Sequence, residues 1–139
     1  MKAIIKQIEG LSLVGKSDSN HWVPLDSVKT FGGSEAGTKP MEMVLIALGG
    51  CTAMDVLSIL RKMREDIRDF NIELTAERAE GHPSVFTKIH LHYIIVGKDI
   101  KPDNVDKAID LSMNKYCSIT AMLKKSVEVT WDFEIKEEE

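Results

Sequence analysis

Cys51 and Cys117 are the only two cysteines among 139 residues, one set in GGCTAMDV and the other in NKYCSITAML. Two distant thiols are open to two readings in a reducing compartment: buried, inert packing, or a redox couple that meets in space. Inert packing is the more frequent fate of a free cysteine. Their spacing is not CxxC, and the sequence supplies too few companion ligands for a zinc cluster. A reactive Cys51 needs a nearby cation or hydrogen-bond donors, because a free thiol titrates near about 8.5 and burial raises that value. The chain offers Lys39 ahead of the cysteine, Glu42 as the organiser of a cation, and Lys16 or Lys115 from elsewhere. Cys117 is followed by Ser118. If a helix starts there, its free N–H groups and dipole would lower the thiol's pKa.

The elements that must position these thiols are legible from periodicity. Ile4, Ile5, Ile8, Leu11, Leu13 and Val14 form a β-prone stretch broken at Gly10, and SDSN turns the chain before His21-Trp22-Val23, predicting a meander of two or three strands. The loop GGSEAGTKP leads to a helix from about Pro40 to about Glu65, with Thr38 as its expected N-cap. Up to Leu60 this helix is apolar nearly all round, the pattern of a buried helix. Gly49 and Gly50, each costing about 1 kcal/mol relative to alanine inside a helix, serve either close packing or access to the Cys51 sulfur. Ile72, Leu74 and Ala76 alternate with polar residues, EGHPS makes a turn, and Val85, Thr87, Ile89, Leu91, Tyr93 and Ile95 share a face, predicting a hairpin. A helix from Pro102 to about Asn114, a second from Ser118 to about Lys125 and a strand from Val127 to Ile135 follow, with KEEE as a solvated end. The order predicts one α+β domain over residues 1–139.

Composition narrows the function. A formal net charge of −4, with scattered basic residues, gives no footprint for nucleic acid. A signal peptide and a run of about 18 continuous apolar residues are both lacking, so the expectation is a cytoplasmic protein without a membrane span. GGSEAGTK departs from a phosphate loop in the order of Thr and Lys, and Pro40 removes an N–H. His90 and His92 would share a strand face, with no third metal ligand evident. The chain contains no GxSxG. Met41, Met43, Met54 and Met63 read as adaptable filler at a helix interface, and RKMREDIR, residues 61–68, as a solvated helix end with local ion pairs.

PMEMVLIALGGCTAMDVLSIL followed by KYCSITAML, in this element order, resembles the paired-cysteine signature of the OsmC/Ohr superfamily, the osmotically induced and organic-hydroperoxide-resistance proteins, over nearly the whole chain. The resemblance implies an intertwined homodimer whose active sites lie at the subunit interface, with Cys51 as the peroxidatic and Cys117 as the resolving cysteine. It also implies an organic hydroperoxide as substrate, a dithiol reductant of the lipoyl type, and no required metal or bound cofactor. In the family's peroxidases an N-terminal arginine and a glutamate directly after the helix-opening proline activate the cysteine. Here Met41 follows Pro40, Glu42 comes one place later, a rotation of roughly 100° on a helix, and the first arginine is Arg61. PMEM and KYCS stand closer to a subgroup whose substrate is not established. The alternative is a non-catalytic stress-response or small-molecule-binding dimer with both cysteines as interior packing.

Overall fold

Gly10, at φ 56°, makes the first turn of the chain in the left-handed region that glycine enters without a steric cost. The computed structural model describes residues 1–139, which form two compact units, Met1–Ile46 and Ala47–Glu139. In the first unit β1 (Ile4–Glu9), β2 (Ser12–Lys16) and β3 (Val23–Leu25) pair in order as the expected antiparallel meander. A 3-10 turn (Lys29–Phe31) follows. The loop beyond it is organised by Asp26. Its carboxylate, 3% exposed, accepts from the Ser12 hydroxyl at 2.6 Å and from the N–H groups of Ser27, Ser34 and Ala36 at 2.7 to 3.2 Å. These donors hold its pKa down at about 2, the Ser12 hydroxyl contributing most. The unit buries no hydrophobic side chain, and Ile4, Ile5, Ile8, Leu11, Trp22 and Phe31 are all exposed.

Helix α1 spans Pro40–Lys62. Its N-cap is Lys39 rather than Thr38, because the Glu42 carboxylate reaches back to the Lys39 N–H at 2.9 Å, half of a capping box, while Thr38 bridges to Leu25. The helix stops three residues earlier than its charge pattern predicts. Arg64 adopts φ 62°, and the bonds Arg64 N–H to Arg61 C=O and Glu65 N–H to Leu60 C=O close a Schellman motif without glycine. RKMREDIR is therefore not a helix end throughout, since Asp66 already begins a strand. Nor is α1 buried on all sides within one chain. Leu48, Gly49, Thr52, Val56 and Leu60 form its buried stripe, whereas Ile46, Met54 and Leu57 are exposed.

In the second unit β4 (Asp66–Arg78) and β5 (Phe86–Lys98) form the expected hairpin, longer at its open end than the alternation indicates. A bulge shifts the register between Glu77 and Arg78, so Phe86 joins the core side in place of Val85 and Thr87. Helix α2 (Pro102–Leu111) ends three residues before the expected Asn114 and passes into a π-helical turn (Ser112–Tyr116). Helix α3 (Ser118–Leu123) follows, and β6 (Glu128–Glu137) returns parallel to β5 to complete the sheet order β4-β5-β6. Lys136 and Glu137, expected as a frayed end, belong to β6. Glu137 accepts the Asp99 N–H at 3.0 Å. Leu48, Val56 and Leu60 of α1, Ile89, Leu91, Tyr93 and Ile95 of β5, and Val105, Ala108 and Ile109 of α2 are fully buried and form the core. The class is α+β, as predicted.

A dithiol site with an adjacent carboxylate

On α1, Cys51, Thr52, Asp55 and Val56 lie within little more than one turn, so residues four apart stack on one face. Val56 and Thr52 turn into the core, which leaves Cys51 and Asp55 at its margin, both half-buried. The π-helical turn brings Cys117 to the same place. Its N–H bonds the Ser112 carbonyl at 2.8 Å, and its φ of −71° and ψ of 104° make it the N-cap of α3. π-Turns of this kind are often found at functional sites. The thiols of Cys51 and Cys117 and a carboxylate oxygen of Asp55 lie within 4.8 Å of one another, and both cysteines are free.

Beneath the sulfurs runs a buried chain of hydroxyls. Thr52 Oγ1 is 2.8 Å from both the Tyr93 phenol and the Ser112 hydroxyl, and Ser112 donates to Asp55 Oδ2 at 3.0 Å. An ionised carboxylate only accepts, so Asp55 sets a direction: Tyr93 donates to Thr52, Thr52 to Ser112, Ser112 to Asp55. Met113 Sδ sits against the hydroxyls of Thr52, Tyr93 and Thr120 at 3.5 to 3.7 Å. No buried side-chain nitrogen or oxygen lacks a partner. Burial pushes the Tyr93 phenol up to about 12, so it remains a donor at neutral pH.

Cys117 is 2% exposed and its sulfur accepts the Thr120 N–H at 3.4 Å. The expected helix-start setting is thus present, but its expected effect on titration is outweighed. Burial, the largest single influence, and neighbouring Cys51 raise the thiol's pKa, the Thr120 hydrogen bonds lower it, and the net shift is upward. The groups proposed as activators each have local partners. Glu42 binds the Lys39 N–H and its ammonium, the latter at 3.7 Å; Lys16 lies over the Trp22 ring at 4.7 Å; Lys115 lies 5.3 Å from the Tyr116 ring centre. Arg61 lines a separate cleft of about 450 Å³ with Leu57, Glu65, Arg68 and Phe70. Asp55 lines another, of about 390 Å³, with Ser58, Ile59, Lys62, Leu111 and Tyr116.

His90 and His92 do share a strand face, with Asp132 between them, 2.9 Å from His90 Nε2 and 2.8 Å from His92 Nδ1. That carboxylate raises the His92 pKa above its ordinary value, and the two histidines lower that of Asp132. The arrangement is a cross-strand hydrogen-bonded ladder on the outer face of the sheet.

Asp55, Thr52, Ser112 and Tyr93 are absent from the site residues that the sequence picks out. One signal was available for Asp55, the single charged residue between Glu42 and Arg61 and one helical turn after a cysteine. Thr52, Ser112 and Tyr93 carry no such mark, because the contacts that join them span 41 to 60 residues.

An α+β fold with a cysteine on its long helix and a second at the corner between two short helices defines a class, and the family comparison agrees. Residues 32–132 match the OsmC-like protein family, and the chain belongs to it. It is 45% identical to Protein YhfA of Escherichia coli K12 over 135 residues, 97% of this chain and 98% of that one. The crystal structure of a hypothetical protein from Aquifex aeolicus VF5 is 29% identical, with a TM-score of 0.87 over 99% of this chain and 97% of that one. An organic hydroperoxide resistance protein OsmC from Legionella pneumophila shares the fold at 14% identity, with a TM-score of 0.70 over 96% of this chain and 97% of that one.

Proposed function

We propose that this chain is a thiol-dependent peroxidase for organic hydroperoxides, acting in the cytoplasm as a homodimer with one functional domain over residues 1–139. The observation that carries the reading is the meeting of Cys51 and Cys117 within 4.8 Å although 66 positions separate them. The Cys51 thiolate attacks the distal oxygen of the hydroperoxide, the O–O bond breaks, and the departing alkoxide takes a proton to leave as the alcohol. Cys51 is then a sulfenic acid. The Cys117 thiol condenses with it, forming the disulfide and releasing water. A dithiol reductant returns both thiols. Half-exposed Cys51 suits the attacking role and buried Cys117 the resolving one. The name of the Legionella relative supports the substrate class.

The dimer is supported by apolar surface that one chain leaves uncovered, at Ile46, Met54 and Leu57 of α1 and along the N-terminal meander. A second reading, a non-catalytic binding dimer, is favoured by one observation: the groups about the sulfurs are a carboxylate, hydroxyls and a thioether. Steady-state turnover of an apolar alkyl hydroperoxide with a dithiol reductant decides between them. The expected result is turnover by the wild type and none by Cys51→Ser; wild-type turnover that survives Cys51→Ser would refute the peroxidase mechanism.

A further inference from the structure

We propose that Cys51, Asp55 and Cys117 form a three-ligand site for a zinc-class divalent ion, with two sulfurs and one carboxylate oxygen from the protein and a fourth position open to water. Sequence alone supplied two ligands. The fold supplies the third, placing the Asp55 carboxylate within 4.8 Å of both thiols. In a tetrahedral site with bonds of about 2.3 Å to sulfur and about 2.0 Å to oxygen, donors stand roughly 3.5 to 3.8 Å apart. The three groups therefore need about 1 Å of side-chain adjustment to close on one ion.

The surroundings match the needs of such a site. Each ligand that the fold buries or orients has an outer partner: Ser112 donates to Asp55 Oδ2 at 3.0 Å, and the Thr120 N–H donates to the Cys117 sulfur at 3.4 Å. Partners of this kind fix ligand orientation in metal sites. Metal binding would release the two thiol protons, and the divalent cation would offset most of the charge of the two thiolates and the carboxylate so formed. Soft sulfur ligands in a tetrahedral set select zinc over calcium or magnesium. Three protein ligands with an open fourth position are the coordination of catalytic rather than structural zinc. Metal and disulfide exclude each other because both use the same sulfurs, so bound metal would hold the dithiol out of peroxide turnover.

The test uses the full chain, reduced with a phosphine and stripped by a chelator. Titration with Co²⁺ is expected to give sulfur-to-metal charge transfer and the visible bands of a tetrahedral site at one ion per chain, displaced by Zn²⁺. Asp55→Asn, which keeps both thiols, should bind at least tenfold more weakly. Zinc-edge X-ray absorption on the wild type, which depends on no variant, should show two sulfurs with a light-atom shell. No binding, a six-coordinate cobalt spectrum, a shell without two sulfurs, or an unchanged affinity in a folded Asp55→Asn protein would each overturn the proposal. Thiol oxidation by hydroperoxide, followed separately on metal-free protein, reports on the peroxidase reading alone.

Discussion

Ser112 joins two arms of the polar network, accepting from Thr52 and donating to Asp55. Removing its hydroxyl leaves the fully buried Thr52 donor with only the weak Met113 thioether at 3.7 Å as acceptor, and leaves the Asp55 carboxylate without its internal partner. Leaving a buried group unsatisfied costs about 1 to 3 kcal/mol. Ser112→Ala should therefore lower the unfolding free energy by about that amount in urea titrations, and a change below 0.5 kcal/mol, about the floor for a single net hydrogen bond, would contradict the network. Asp26 offers a second test in the other unit. Its carboxyl titrates at about 2 in the folded chain against an ordinary 3.8. A depressed carboxylate contributes stability that is present above the ordinary value and is lost as pH falls through about 2. Asp26→Asn should thus be less stable than the wild type at neutral pH, and the gap between their urea midpoints should close as pH approaches 2. A gap independent of pH would show that the four donors do not act on the charge. At this scale sequence revealed the two thiols and little else of the site, because Thr52, Tyr93 and Ser112 are ordinary core-side residues until the fold joins them.

Elements were more legible than their ends. Strict alternation exposed the hairpin and β6, since one face of each strand is buried, and the long apolar run exposed α1. What failed were positions decided by backbone detail: a Schellman stop made by Arg64 rather than glycine, a bulge that exchanges Thr87 for Phe86, and a π-turn that ends α2 early. Glu42 also has a role in the local backbone. Its carboxylate caps the start of α1 beside the Lys39 N–H. Glu42→Ala should then lower stability by about 0.3 to 1 kcal/mol, the range for a charge at a helix N-terminus, while leaving the rate of Cys51 oxidation by hydroperoxide within twofold of wild type. A tenfold slower oxidation would instead return Glu42 to the chemistry.

For the whole molecule, the question is what covers the apolar surface. Three strands with no buried hydrophobic side chain do not make an independently stable unit. α1 likewise leaves Ile46, Met54 and Leu57 exposed. Of the paired glycines, a methyl on Gly49 would meet the Leu74 Cδ1 at 2.9 Å, whereas one on Gly50 would meet nothing in its own chain. Gly49 thus answers to packing within the chain. Light scattering on the reduced protein is expected to give a dimer at micromolar concentration, and Gly50→Leu to weaken it. A wild-type monomer would remove the support for active sites at an interface.

The central claim, that Cys51 and Cys117 act as one redox couple, is tested most directly by intact mass and thiol counting on reduced, metal-free protein before and after one equivalent of an apolar organic hydroperoxide. The expected result is rapid loss of both thiols, a mass decrease of two hydrogens, and full reversal by a dithiol. Both thiols still free after prolonged exposure, or a persistent sulfenic or sulfinic acid on Cys51 with Cys117 untouched, would contradict it.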